Sequence, residues 1–155
     1  MTEFILKKWE EQKILGGLNC FVNNKGEVIL LDCFCYKTDN EQFNSCTPFC
    51  DTKIENLEKY NNELWTQFDV FTNKVETEDG DMIFGGEGEM GNEGFIVCTN
   101  KDNDFIWSLF FLNSNPFYKL ELINNEIHAF SSLDLVYKIN LKKPENINIS
   151  HYKWR

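Results

Sequence analysis

Gly94-Phe-Ile-Val-Cys-Thr99, Asp104-Phe-Ile-Trp-Ser-Leu-Phe-Phe111 and Phe117-Tyr-Lys-Leu-Glu-Leu-Ile123 decide the architecture of this chain. These three runs are rich in β-branched and aromatic residues. Asn100-Lys-Asp-Asn103 and Asn113-Ser-Asn-Pro116 separate them, and such residues favour turns over ladder positions. Glu126-Ile-His-Ala-Phe130, Leu135-Val-Tyr-Lys-Ile-Asn-Leu141 and Ile147-Asn-Ile149 continue the series. Breaks recur about every 8–12 residues, which predicts an antiparallel β-meander over 94–149. No helical crossover fits between the runs, so a parallel βαβ sheet is excluded. The runs are also too few for a complete propeller.

Upstream, Leu18-Asn-Cys-Phe-Val22 and Glu27-Val-Ile-Leu-Leu-Asp-Cys-Phe-Cys-Tyr36 flank Asn23-Asn-Lys-Gly26, the signature of a hairpin. The unbroken apolar run Val28 to Leu31 predicts burial on both faces of a sheet. Phe4-Ile-Leu6 with Trp9 fits either a strand or a short helix. Thr52-Lys-Ile-Glu55 has capping-box spacing. Behind it Ile54, Leu57, Leu64, Phe68 and Phe71, with Trp65, recur at three, four or seven residues, while Glu55, Glu58, Lys59, Asn62 and Glu63 take the other side. That stripe predicts a helix of about five turns over 53–72, packed on the sheet and stopped at Asn73. The expected class is therefore α+β: a mostly antiparallel β-meander sheet with one main amphipathic helix packed on it. One domain over 1–155 is expected, with hairpin and helix in 1–74, an acidic Gly-rich loop at 76–93 and the meander at 94–149.

Composition narrows the function. The 155 residues are 15% aromatic, too many for a disordered acidic chain. Asp plus Glu is 25 against 15 Lys plus Arg, a net charge of −10, and Arg155 is the sole arginine. Phosphate neutralisation and base reading need clustered Lys and Arg, so direct nucleic-acid binding is not expected. An anionic membrane surface would repel the chain as well. A basic protein would be drawn to it. The apolar stretches are a few residues long and the N-terminus lacks a signal-peptide pattern, so a cytoplasmic location is expected, with thiols reduced.

Few residues offer chemistry. Cys33, Cys35, Cys46 and Cys50 lie close enough in sequence to suggest a zinc site, but Cys33-Phe-Cys35 sits in a strand-like run without a knuckle turn. Buried or half-buried thiols and no metal are expected. The two histidines, His128 and His151, stand beside no nucleophile motif, so no catalytic residue and no cofactor are assigned. Gly86-Glu-Gly88-Glu-Met-Gly91 matches a dinucleotide fingerprint by letter, yet it precedes a strand and its acids would repel a pyrophosphate. The distinctive feature is the acidic segment. Glu76, Glu78, Asp79, Asp81, Glu87, Glu89 and Glu93 fall between Lys74 and Lys101 with no basic residue among them. A solvated loop or a face for a basic partner both fit. Glu76 to Asp81 only half meets a calcium-loop pattern.

Phe84-Gly-Gly-Glu-Gly-Glu-Met-Gly-Asn-Glu-Gly-Phe-Ile-Val97, Asn103-Asp-Phe-Ile-Trp-Ser-Leu-Phe-Phe111 and Asn113-Ser-Asn-Pro-Phe117 carry a resemblance. With Glu126 to Ser132 and Pro144-Glu-Asn-Ile147, this half of the chain, 84–149, resembles small acidic immunity proteins of bacterial polymorphic-toxin and contact-dependent growth inhibition systems. The resemblance implies a cytosolic antitoxin, not an enzyme, that binds and occludes a basic toxin domain, commonly a nuclease. Glu76, Glu78, Asp79, Asp81, Glu87, Glu89 and Glu93 would then be partner-binding, with Trp65 or Trp107 as anchors if exposed. A small β-rich ligand-binding or enzyme domain with an aromatic-lined pocket is the alternative.

Overall fold

A computed structural model describes residues 2–61 and 63–151, apart from the side chains of Cys35, Lys37 and Gln42. In chain order the elements are α1 (Glu3–Glu10), β1 (Lys13–Leu15), β2 (Cys20–Asn23), β3 (Glu27–Lys37), β4 (Gln42–Lys53) and α2 (Ile54–Tyr60). There follow β5 (Trp65–Gln67), β6 (Asp69–Val70), β7 (Val75–Glu76), β8 (Met82–Glu87), β9 (Gly94–Thr99) and β10 (Phe105–Phe111). The last four are β11 (Phe117–Ile123), β12 (Glu126–Ser131), β13 (Leu135–Asn140) and β14 (Lys143–His151). The protein is mostly antiparallel β-sheet with two short helices. A large sheet has the order β4-β3-β2-β10-β9-β8-β6, with β7 also on β8; a small sheet runs β11-β12-β13-β14; β1 and β5 form a separate ribbon. Among the described residues no helix is long and apolar enough to cross a membrane.

Strand alternation sends neighbouring side chains of the large sheet to opposite faces, and both faces are covered. Ile96, Cys98, Leu109 and Phe111 meet Phe117, Leu120, Ile127, Tyr137 and Ile139 of the small sheet. Phe95, Val97, Phe105 and Phe110 meet Ile5 of α1, Ile14 and Leu15 of β1, Ile54 of α2 and Leu64. Hence every residue of β9 is buried. Val28 enters one core and Leu31 the other, as the run 28–31 predicts.

The turns explain the register. Asn23 Oδ1 accepts from Lys25 N at 3.0 Å and Glu27 N at 3.1 Å, and Gly26 takes φ +82°, closing the β2–β3 hairpin. Asn124 and Asn125 hold φ +50° and +62°, the left-handed pair that a two-residue hairpin demands. β8-β9-β10 and β11-β12-β13-β14 are meanders in chain order, but the predicted single sheet divides at 112–116, where the chain crosses to the small sheet.

The five-turn helix does not form. α2 ends at Tyr60, and 65–67 instead pairs antiparallel with 13–15, Leu15 opposite Trp65. The capping box is absent as well, since no side chain caps α2. Leu64 and Trp65 reach the same core from an extended backbone, with Gly16 N donating to Leu64 O at 2.7 Å. Of the stripe, Ile54 and Leu64 are buried and Leu57, Trp65 and Phe68 partly so, whereas Phe71 is half exposed; the continuous helical backbone is absent. Asn73 stops no helix. Its side-chain amide donates to Leu120 O at 3.1 Å and accepts from Leu120 N at 3.0 Å, tying the β6–β7 edge to β11.

Nor is 76–93 a continuous loop. Gly85 and Gly86 lie within β8, and side chains there would collide with Phe95 O and Asp69 O. The missing Cβ atoms let β6 and the next residues close on β8, where Phe71 N and Thr72 N both donate to Gly85 O. Leu64→Ala should cost about 2–5 kcal/mol in urea melts, whereas Phe71→Ala, half exposed, should stay within about 0.5 kcal/mol. On a long helix the two would share one buried face, so equal losses would restore that element.

Candidate functional site

The acidic residues separate into two groups at opposite ends of β8, about 17 Å apart at 3.3 Å per residue. Thr77 to Asp81 make the first. Thr77 N donates to Asp81 O at 2.8 Å, Gly80 N to Thr77 O at 3.0 Å and Asp81 N to Thr77 Oγ1 at 3.1 Å. Gly80 supplies φ +86°. The tight turn throws Glu78 and Asp79 outward, with Glu76 exposed on β7 just before it and Asp81 half-buried behind. Burial first, and the Asp79 carboxylate second, push the Asp81 pKa above its ordinary value.

Beside this turn lies a cavity of about 380 Å³ at the end of the sandwich. Glu78, Asp79 and Asp81 form one wall, Trp107 lines its floor, and Asn125 and Lys142 come from turns of the small sheet. Three carboxylates thus face one ammonium. Cys98 also lines it, and burial, then Asp81, pushes its thiol pKa up to about 12. It is no nucleophile at neutral pH.

The second group is built differently. Glu87 stands opposite Asp69 in the ladder, acid against acid at the sheet edge. Glu89 Oε1 accepts from Gln67 N at 3.2 Å. Glu93 is only 8% exposed, and its Oε1 accepts from Met90 N at 3.1 Å, holding the β8–β9 loop. Glu93 is therefore a brace of the fold and not part of an exposed acidic face. Among the described residues, none of the seven acids has a lysine amine within 4.0 Å; the lysine ion pairs found are Lys8–Glu11 and Lys119–Glu121.

The remaining candidates resolve as follows. Cys33 and Cys46 stand opposite each other on β3 and β4, Cα atoms 4.1 Å apart, and are joined as a disulfide, which corrects the expectation of reduced thiols throughout. A strand pair in that register brings the Cβ atoms together, an arrangement invisible in linear spacing. Among the described residues no three His, Cys, Asp or Glu converge for a metal. His128 Nε2 lies 2.8 Å from Glu126 Oε1 on the outer face of the small sheet, and His151 is exposed. Trp107, 8% exposed, and Trp65, half-buried, are no surface anchors. Phe4, Tyr60, Phe71 and Tyr118 are exposed elsewhere, while four of the exposed aromatics, Phe34, Tyr36, Phe43 and Phe49, lie together on the β3–β4 arm, with the Phe34 and Phe43 rings 5.9 Å apart. Sequence reasoning missed them, along with Asn125 and Lys142. The first signal available was the unusual aromatic density of 34–49.

Comparison with protein-family models, curated proteins and solved structures finds no match for the chain.

Two outcomes test this description. Asp81 binds its proton more tightly folded than unfolded, so its ionisation weakens the fold as pH rises from the unfolded carboxylate value, about 3.9, through the raised one. Asp81→Asn should melt higher than wild type at pH 7, with the difference gone by about pH 3; a mutant that melts lower at pH 7 contradicts the sign. In native protein, iodoacetamide should label exposed Cys50 while buried Cys20 and Cys98, both pushed up to about 12, stay unlabelled by peptide mass mapping until denatured.

Proposed function

We propose that this protein is an immunity protein, a non-catalytic inhibitor that binds a basic toxin domain of nuclease type and occludes its nucleic-acid cleft. The observation that carries the reading is the set of carboxylates at both ends of β8. All but Glu93 reach solvent, and among the described residues none is paired with lysine. An uncompensated field of one sign steers an oppositely charged partner and speeds encounter. The same groups would take the place of phosphates on the partner's Lys and Arg side chains. Phe34, Tyr36 and Phe43 on the β3–β4 arm supply desolvated contacts of the kind that dominate interface energetics. The resemblance of 84–149 to acidic immunity proteins points the same way.

The test is titration of a basic toxin domain from the same gene neighbourhood across a salt series. Wild type should bind and protect, with affinity falling as salt rises, because the Debye length is about 10 Å at 0.1 M and 3 Å at 1 M. Glu78→Gln with Asp79→Asn, both at an exposed turn tip, should weaken binding about tenfold or more at low salt, about 1.4 kcal/mol, without lowering the melting temperature. Flat salt dependence and unchanged affinity would remove this turn from the interface. A wild-type protein that neither binds nor protects against any such domain would end the occlusion reading.

A further inference from the structure

Trp107 gives the cavity beside the β7–β8 turn a second, independent feature. The residue is 8% exposed, with Phe21 packed 6.1 Å away on one flank and the core between the sheets around it. Its indole N–H donates to nothing among the described residues, whereas Trp9 donates to Asn103 O at 2.9 Å and Trp65 to Glu58. Nor is that N–H sealed. Among the described residues the side-chain polar atoms that are both sealed and unpartnered are Thr2 Oγ1 and Ser108 Oγ. Trp107 is one of the residues that line the cavity. An indole donor with solvent access and no partner in the chain can be met by an acceptor from a ligand in the cavity that the residue lines.

The walls specify that ligand further. Glu78, Asp79 and Asp81 face Lys142 alone, so the cavity favours a cation. Ile83 and Leu141 also line it, and they suit an aliphatic stem. A bare metal ion uses neither the apolar lining nor the indole donor. An isolated amine leaves the donor unmet. A basic residue within a peptide satisfies all three, because its own main-chain carbonyl can accept from the indole. Arginine fits best, since its planar fork pairs with carboxylates two bonds at a time. At about 380 Å³ the cavity has room for one such side chain with its adjoining backbone.

We infer that this cavity is a socket for a single arginine of the basic partner, the guanidinium held by Asp79 and Asp81 and the arginine's main-chain carbonyl accepting from the Trp107 indole. The inference rests on the occlusion reading for its biological partner but not for its chemistry. The occupied socket replaces the like-charge contact of Asp79 with Asp81 by a charge-assisted fork, and it gives the indole the acceptor it lacks.

The experiment is a titration of the whole chain, isotope-labelled, with N-acetyl-L-arginine N-methylamide. The readout is the indole N–H resonance of Trp107, assigned by its loss in Trp107→Phe. The probe should shift that resonance saturably with millimolar affinity. The citrulline analogue, which has the same shape without charge, should leave it in place, and agmatine, which lacks the carbonyl, should bind at least about threefold more weakly. Asp79→Asn and Asp81→Asn should each weaken the probe at least about fivefold, and folding is not at issue for an Asp81→Asn protein that melts no lower than wild type. An unmoved resonance, an equal shift with citrulline, or a saturable shift with calcium but not arginine would overturn the socket. The partner titration separates the two claims. A basic toxin that binds with unchanged affinity after Asp79→Asn overturns the socket and leaves occlusion standing. A socket that takes the probe in a protein no basic toxin engages is upheld while occlusion falls.

Discussion

Burial of the large sheet on both faces is the constraint from which the rest of the structure follows. A strand covered on one side can alternate apolar and polar residues, but β9 and β10 have no solvent side. Phe95 and Val97 point to the helical layer while Ile96 and Cys98 point to the small sheet. A sheet of this kind fixes its register strongly, because a slip by one residue exchanges the contents of two different cores. It also dictates what must surround it. One face needs the four strands β11 to β14, and the other needs α1, α2 and the β1–β5 ribbon. The two helices are short because they are lids on that second core, with Ile5 and Ile54 as their buried contacts.

The same constraint decides where charge goes. A three-layer interior disfavours an unpartnered carboxylate, so the acids lie at turns and edges, and the buried one, Glu93, is held by Met90 N. They concentrate along β8, whose outer edge is covered only by the broken pair β6 and β7. Uncovered edges recruit other strands, and charge at an edge is a common guard against that. Carboxylates at both ends of β8 therefore serve solubility and attract a basic surface through one field. On the occlusion reading these roles do not compete, since a basic cleft would neutralise the charge while an unrelated neutral strand would gain nothing from it.

The β-meander was legible because each strand declares itself locally, by β-forming residues bounded by Asn, Asp and Pro. β9 and β11 carry the bounds the sequence suggests. Residues 53–72 misled because spacings of three, seven, four and three fit a continuous helix and equally a short helix followed by a strand. The deciding partner, Lys13 to Leu15, lies some fifty residues upstream, and pairing across that distance has no local signature. β8 was hidden for the opposite reason. Its glycines read as flexibility, but they are there for close backbone approach, which only the neighbouring strand reveals. At the candidate site the turn Thr77 to Asp81 was readable as acidic, and Glu93 looked the same by composition. Only the fold distinguishes a carboxylate facing solvent from one that accepts a backbone N–H. The cavity could not be read at all, because Trp107, Asn125 and Lys142 meet the turn through the stacking of the two sheets.

That stacking gives the site its physical logic. Asp81 is partly desolvated and set against Asp79, which leaves the free protein less stable than a neutral residue at 81 would, and the Trp107 donor has no partner within the described chain. Packing requires neither feature, since an amide at 81 would fill nearly the same volume without charge. Strain of this sort, held at a cavity mouth and supported by a rigid sheet floor, is what a ligand of the right chemistry releases on binding. A cation restores the favourable surroundings that Asp81 lost on burial, and an accepting carbonyl meets the indole. Free energy forgone in the folded chain then reappears as affinity, and it is available only to a partner that brings both groups together. Net charge alone would attract any basic surface. The pairing of acid with a fixed donor is what allows this end of the sandwich to discriminate among them.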